Sequence, residues 1–317
     1  MAPNVQNLHM EPSLPALVDR WVQAGIITPE QGERIRADAA TLPQTKPRTA
    51  SLVAEGLGYL GGAIVLVGLI LVMGLFWERL SSAGRVGIIG GVALALLTAG
   101  AFVPAGRLGA AGARLRGVLW VASCVALAIA LGFTGDELLG WEGSEIGLLA
   151  TGTTTVVAAV LWAIHRHVLQ HLAAVVFLLS ASYTATLTIT DSWPWSNFVV
   201  WAVAVVWFVL SLASILPARA GAVFGSVGMV VGGLLMINDE WGPLLALASV
   251  VVLVVTGVVR RELPVLAVGS VGTLIVLPFV MNRYFPNNSV VTALSLVVVG
   301  QLLVTLGVVV ARRRRAE

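Results

Sequence analysis

The stretch EGLGYLGGAIVLVGLILVMGLFW, Glu55 to Trp77, decides what class of protein this is. From Gly56 to Trp77 it runs 22 residues without a charge. At about 1.5 Å of rise per residue, a helix of that length crosses a hydrocarbon core of about 30 Å. It is apolar on every face, whereas a soluble helix needs only one apolar stripe. The stretch reads as a transmembrane helix, and nine further apolar runs follow it.

Composition agrees. Hydrophobic residues make up 58% of the 317 and charged ones 11%, where a soluble domain carries about 25% charged residues. The single cysteine, Cys124, lies inside an apolar run, so neither an internal disulfide nor a cysteine metal site is available. The formal charge of +3 looks at first like a nucleic-acid binder's. Its distribution along the chain points to membrane orientation instead.

Residues 1–50, ahead of the first span, form a predominantly polar segment, so a cleavable secretory signal is not expected. Within them Leu14, Leu17, Val18, Trp21 and Val22 share one helical face. Gly25 is placed to end that helix in a left-handed cap. Thr28-Pro29-Glu30-Gln31 then reads as an N-cap, a proline at the first helical position and a capping-box glutamine. A second short helix is expected to about Ala40, giving a small helical hairpin. So small a hairpin buries too little to be stable alone, so Leu17 and Trp21 are expected to meet a partner. That partner is either the membrane domain, a second copy or another protein. DNA recognition is disfavoured, because the second helix offers only Arg34 and Arg36. A proline-broken linker, TLPQTKPRTA at 41–50, joins the hairpin to the first span.

The order LVDRWVQAGIITPEQGERI, short linker, GYLGGAIVLVGLILVMGLFW resembles an uncharacterised family of bacterial predicted multi-pass membrane proteins. The matching positions are Trp21, Gly25, Ile27, Thr28, Tyr59, Leu60, Gly61, Gly62 and Trp77. The likeness covers roughly the first hundred residues. It implies a membrane protein and carries over no catalytic or binding residue.

Downstream, the second span is expected from Val86 to Pro104 and the third from Gly117 to Phe133. The fourth runs from Ile146 to Ile164, the fifth from His171 to Thr190, and the sixth from Asn197 to Leu216. The seventh is Gly221 to Ile237, the eighth Pro243 to Val259, the ninth Val265 to Met281, and the tenth Val290 to Ala311. With the N-terminus inside, the inner segments hold Arg20, Arg34, Arg36, Lys46, Arg48, Arg107, Arg114, Arg116, Arg166, Arg219, Arg260, Arg261 and Arg312 to Arg315, which is 16 of 19 basic residues. Only Arg79, Arg85 and Arg283 fall outside. A misplaced span would scramble this alternation, so it supports both the topology and an N-in, C-in orientation. A weak repeat accompanies it. The fifth, seventh and ninth spans exit through ITDSWP, INDEWGP and MNRYFP, and the seventh and ninth share GSVG at 225–228 and 269–272. This pattern fits tandem helical hairpins in a parallel repeat.

Groups with chemistry are few. Glu55 lies at the inner edge of the first span, where the helix dipole favours a carboxylate and Arg48 is in reach. A proton-coupled carrier would place ionisable groups near mid-membrane, and no span has a charge at its centre. Gln301 and Asn197 are the nearest polar substitutes. His165, His167 and His171 cluster at an inner turn, but no carboxylate or cysteine lies nearby in sequence to complete a zinc site. The glycines Gly58 and Gly62, and Gly221, Gly225, Gly228 and Gly232, form small-residue faces suited to close helix packing. No phosphate-binding glycine loop, HExxH, GxSxG or CxxC occurs.

One candidate pocket remains. The fifth span ends SASYTATLTIT, with hydroxyls at Ser180, Ser182, Thr184, Thr186, Thr188 and Thr190, and the fourth brings Thr151, Thr153, Thr154 and Thr155 to similar depth. The bland reading is that these hydroxyls bond their own helix carbonyls and act as packing glue. The sharper one is an outward pocket of Thr153, Thr154, Ser182 and Thr186 under a mouth of Asp191, Trp193, Asp239 and Trp241. It would be about 15 Å deep and suit a polar or cationic ligand.

The sequence thus specifies an all-α polytopic transmembrane bundle of about ten spans, with a small N-terminal cytoplasmic hairpin. Residues 1–50 are the hairpin and linker, and 51–317 the transmembrane domain. The expected location is the bacterial cytoplasmic (inner) membrane. The expected partners are membrane lipids and, through the hairpin, a second copy or another protein, with no nucleic acid, cofactor or metal. The functional reading is a non-enzymatic scaffold or interaction protein. The alternative is a transporter or binder of a small uncharged, polar or amphipathic molecule, and the third is a lipid-modifying membrane enzyme.

Overall fold

The structure, a computed structural model, describes residues 14–41, 74–103, 105–286 and 289–313, with the isolated positions 60, 64, 67 and 71. The chain divides into two units, Met1–Glu78 and Arg79–Glu317.

In the first unit, α1 (Leu14–Gln23) and α2 (Pro29–Thr41) form the hairpin. Gly25 takes a left-handed φ of 69°. The turn then closes by two bonds, Gly25 N to Val22 O at 3.1 Å and Ile26 N to Trp21 O at 2.9 Å. These satisfy carbonyls that the helix end would otherwise leave bare. Thr28 and Gln31 make the reciprocal capping box: Thr28 N donates to Gln31 Oε1 (2.9 Å) and Gln31 N to Thr28 Oγ1 (3.3 Å). Val18 is fully buried against Gly32, where an added Cβ would stand 3.0 Å from Val22 Cγ2 and 3.3 Å from Val18 Cγ1. Asp19 and Arg36 pair across the hairpin. Leu17 and Trp21 are half-buried. Most of the expected first span, Glu55 included, lies outside the described residues; Leu60, Ile64, Val67 and Leu71 are helical.

The second unit is all helical among its described residues. It contains α3 (Ser82–Phe102), α4 (Ala105–Phe133), α5 (Ser144–His165), α6 (Val168–Thr190), α7 (Trp193–Leu212), α8 (Ala218–Leu235), α9 (Gly242–Val259), α10 (Leu263–Tyr284) and α11 (Ser289–Arg313). These are the second to tenth spans of the sequence. Eight helices among the described residues, α3 to α10, are long and apolar enough to cross a membrane. The shown count is therefore eight where the sequence predicts ten. The first span is the one mostly outside the description, and α11 has a described apolar segment of Val290–Gln301.

Local chemistry explains the helix ends. Ser81 caps α3 by accepting from Gly84 N at 3.2 Å. Pro194, Pro243 and Pro264 sit in the first turns of α7, α9 and α10, where no helical N–H is lost. Arg166 and Asp191 close α5 and α6 in left-handed conformation, each with φ 48°. The expected ends of the second to tenth spans fall within four residues of the helix ends, with one exception. The third span is predicted to begin at Gly117, yet α4 already starts at Ala105 and continues through a π-helical turn, Thr134–Leu138. Hydropathy marks where lipid begins, while the helical backbone carries on past Arg107, Arg114 and Arg116.

Consecutive helices run antiparallel and pack as hairpins. Trp120 Nε1 reaches Leu97 O (3.0 Å) and Ser123 Oγ reaches Ala93 O (2.8 Å) between α4 and α3. At the other end of the pair Arg85 and Glu137 form a half-buried ion pair of 2.8 Å. Helix α8 is the hub, packed on α6, α7, α9 and α10. The largest core is Phe208 of α7, Met229 and Val230 of α8, Val250 and Leu253 of α9, and Val265, Val276 and Val280 of α10. A smaller one joins Cys124, Ala158, Ala173 and Ala174 of α4, α5 and α6. The repeated GSVG does equivalent work in both places: Gly225 lies against the backbone of α7 at Phe208, and Gly269 against the backbone of α9 at Leu253 and Val254.

Candidate functional site

The hydroxyls of α5 and α6 donate chiefly to their own helices. Thr155 Oγ1 reaches Thr151 O (2.7 Å), Thr186 Oγ1 reaches Ser182 O (2.8 Å), Thr188 Oγ1 reaches Thr184 O (2.8 Å), and Thr190 Oγ1 reaches Thr186 O (2.8 Å). Ser182 donates to Leu179 O at 2.8 Å. One pair crosses between helices, Thr151 Oγ1 to Thr184 Oγ1 at 3.0 Å. It forms where Gly147 makes room: a Cβ there would lie 2.7 Å from Thr184 Cγ2. Thr153 is exposed, and Thr154 is fully buried with no partner for its hydroxyl.

The remaining members of the set lie at the end of the bundle where α6 stops and α7 begins. Asp191 is exposed in its capping role, and Trp193 stands edge-on to Tyr183 at 6.4 Å between ring centroids. Asp239 is half-buried with Oδ2 unpartnered. With Trp241, Trp195 and Phe198 it lines a groove of about 520 Å³ between α7 and α9. A larger groove, about 850 Å³, runs between α6, α7 and α8 and is walled by Val176, Tyr183, Trp193, Asn197, Val227 and Leu235, among others. So Asp239 and Trp241 share one groove and Trp193 belongs to the other. Thr153, Thr154, Ser182, Thr186 and Asp191 line neither.

At the opposite, arginine-rich end the three histidines find three different surroundings. His165 packs on the Trp120 ring at 4.4 Å. His167 is the N-cap of α6, accepting from Leu169 N at Nδ1 over 3.3 Å. His171 is only 1% exposed. It stacks on Trp162 (4.5 Å, 12° between planes), meets the edge of Phe224 (5.2 Å), and accepts at Nε2 from Trp207 Nε1 over 3.2 Å. An imidazole accepting at Nε2 is neutral with its proton on Nδ1, and His171 Nδ1 is buried without a partner.

Beside this aromatic nest is a small cavity of about 70 Å³ between α4, α5 and α6. Arg116 enters it from α4, held by Nη2 to Val103 O (2.7 Å) and lying 5.7 Å from the Trp120 ring centroid. Gln170 enters from α6, 1% exposed, with Nε2 donating to Gly117 O at 3.2 Å. Arg116 Nε and Gln170 Oε1 are both buried and unpartnered. Sequence reading passed over both residues. Arg116 counts there only as an inner charge, and Gln170 falls just outside the expected fifth span. An arginine and a glutamine at the edges of apolar runs are the signal that could have raised them.

No curated protein and no solved structure matches the chain at the level of significance required. The resemblance carried by the hairpin and the first span has a counterpart among protein families: residues 19–137 match the family described as Predicted membrane protein (DUF2157).

Proposed function

We propose that this membrane protein is a non-enzymatic scaffold or interaction partner of the bacterial cytoplasmic membrane, with both termini in the cytoplasm. The observation that carries the reading is how the bundle spends its polar groups. Most hydroxyls of α5 and α6 bond back to their own helices, the buried Thr154 excepted, and Trp201 Nε1 is satisfied inside the bundle by Ser249 Oγ at 2.9 Å. A carrier of polar solutes needs such groups free along a path through the membrane. The hairpin, with Leu17 and Trp21 on its apolar face, is the element offered to a second copy or a protein partner.

The test is affinity isolation of the full-length chain from native membrane, compared with a variant lacking residues 1–41, followed by mass spectrometry of co-isolated proteins and by size analysis. The expected result is loss of a partner or of the oligomer on deletion, and a weaker version of that loss for Trp21→Ala. Unchanged partners and size would reject the role of the hairpin. Single cysteines in a Cys124→Ala background test orientation. Positions Ser144 and Asn288 should react with an impermeant reagent in intact cells, and the exposed Ala218 should not.

A second reading, a binder or carrier of a small amphipathic molecule, draws on the groove between α6, α7 and α8. Its walls are mainly apolar, with Ser180, Tyr183, Thr184 and Asn197 as polar groups. Uptake of an amphipathic dye into liposomes that depends on the protein and falls with Tyr183→Phe would favour it over the scaffold.

A further inference from the structure

We infer that the cavity between α4, α5 and α6 binds a phosphate group, and that the phosphate belongs to a lipid headgroup of the arginine-rich leaflet. The reasoning starts from charge. Arg116 keeps its charge at any physiological pH and presents five N–H donors. Its Nη2 is spent on Val103 O, and its Nε is buried with no acceptor. Among the described residues no carboxylate pairs with it, and no acidic side chain lines the cavity. Arg116 is half-buried, and a guanidinium partly withdrawn from water with no counter-ion is a place that an anion would stabilise.

The surroundings select an anion of the phosphate type. His165 and His167 line the same space. Because His167 Nδ1 accepts from Leu169 N, the neutral ring carries its proton on Nε2 as a further donor. The cavity also lies at the N-terminus of α6, a helix of 23 residues whose dipole favours negative charge there, while the opposing C-terminus of α3 is covered by Arg116 on Val103 O. The second orphan atom narrows the choice. Gln170 Oε1 is an acceptor, fixed by its own amide nitrogen on Gly117 O. It calls for a donor next to the anion, which a headgroup hydroxyl or ammonium supplies.

Depth points to a lipid. Three elements end at this level: α3 at the Val103 carbonyl that Arg116 holds, α5 at His165, and α6 at Val168. From Arg116 to Leu138 the helix covers about 33 Å at its usual rise, against a hydrocarbon core of about 30 Å. Arg116 therefore sits at the edge of the core, where lipid phosphates lie, while α4 continues outward to Ala105. The inference is independent of the scaffold reading.

The test uses the full-length protein in detergent. Retention of phosphatidylglycerol is read by native mass spectrometry, with phosphatidylcholine as reference and inorganic phosphate as competitor. Wild type should retain one phosphatidylglycerol at least about tenfold more tightly than Arg116→Gln, the loss expected for a charge-assisted bond. Arg116→Lys should recover part of it. Arg260→Gln, which alters another arginine at the same end, should not change it. Gln170→Leu provides a second reading with the charge left in place, and should weaken phosphatidylglycerol several-fold if Arg116→Gln does not fold. Stabilisation by inorganic phosphate without lipid retention would keep the anion site and overturn the lipid as its source. Equal lipid retention by wild type and both variants, with no thermal response to phosphate, would overturn the inference and leave the cavity to water.

Discussion

Two halves of the bundle solve the same problem in different ways. In α7 to α10 the helices approach until backbone meets backbone. A Cβ on Gly225 would lie 2.8 Å from Phe208 Cα, one on Gly232 2.8 Å from Trp201 Cα, and one on Gly257 2.7 Å from Leu266 Cα. In α3 to α6 the contacts include polar side chains that cross to a neighbour's carbonyl: Trp120 to Leu97, Ser123 to Ala93, Gln170 to Gly117. Lipid tails are as apolar as leucine, so helices in a bilayer are joined by close packing and by hydrogen bonds instead of by burial from water. Both halves use hydrogen bonds, since α7 to α10 also carries Trp201 Nε1 to Ser249 Oγ (2.9 Å) and Asn197 Nδ2 to Leu235 O (3.2 Å), and what sets α7 to α10 apart is the approach of backbone to backbone. The consequence shows in unsatisfied atoms. Of the six buried side-chain polar atoms without a partner among the described residues, four lie between α3 and α6 (Arg116 Nε, Glu137 Oε2, Thr154 Oγ1, Gln170 Oε1), His171 Nδ1 lies where α5 and α6 meet α7 and α8, and Asp239 Oδ2 lies after α8. A packed glycine seam leaves little for a ligand to satisfy. A polar seam with orphan atoms is where binding chemistry is to be sought.

The contrast is most easily broken at the glycine seam. Gly225→Leu should force α7 and α8 apart and destabilise the protein by about 3 kcal/mol, measured by unfolding in mixed micelles. A change below a tenth of that would mean the helices do not touch there. In the polar half, Trp120→Phe removes the N–H to Leu97 O together with the part of the indole packed on Gly100, and should cost about 2 kcal/mol. A loss as large as the glycine variant's would show that the two halves are not held differently. The hydroxyl pair is expected to matter less: a double-mutant cycle on Thr151→Val and Thr184→Val should give a coupling of about 0.6 kcal/mol, since Thr151 also bonds Gly147 O (2.6 Å) and Thr184 also bonds Ser180 O (3.2 Å). Smallest, and opposite in sign, is Gly132→Ala in α4. Nothing stands within 4 Å of a Cβ there, so the gain in helix preference should stabilise by about 0.5 kcal/mol. Destabilisation by that variant would reveal a partner packed on the open face of α4.

The same contrast separates what could be read from the sequence and what could not. The ends of the helices were legible because a bilayer acts as a field along one axis. Hydropathy, proline at a first turn and arginine at a boundary each respond to depth alone, so Pro243 and Val259 bracket α9 almost as expected. The hairpin was legible for a different reason, since its glycine turn and its Thr28–Gln31 capping box are local bonds within a few residues. Neither kind of signal says which neighbour a helix face meets. Thr153, Thr154, Ser182 and Thr186 were grouped by depth, and the fold then turned Thr153 outward and Thr154 inward and closed Ser182 and Thr186 onto their own helix. Arg116 and Gln170 lie far apart in the chain and share no repeat, yet they face one cavity. The sequence by itself determined an all-helical membrane chain, the depth of its helices and the cap of its hairpin. Only the tertiary structure decided lateral partners, because in lipid those depend on shape and on single hydrogen bonds between helices, which leave no periodic trace along the chain.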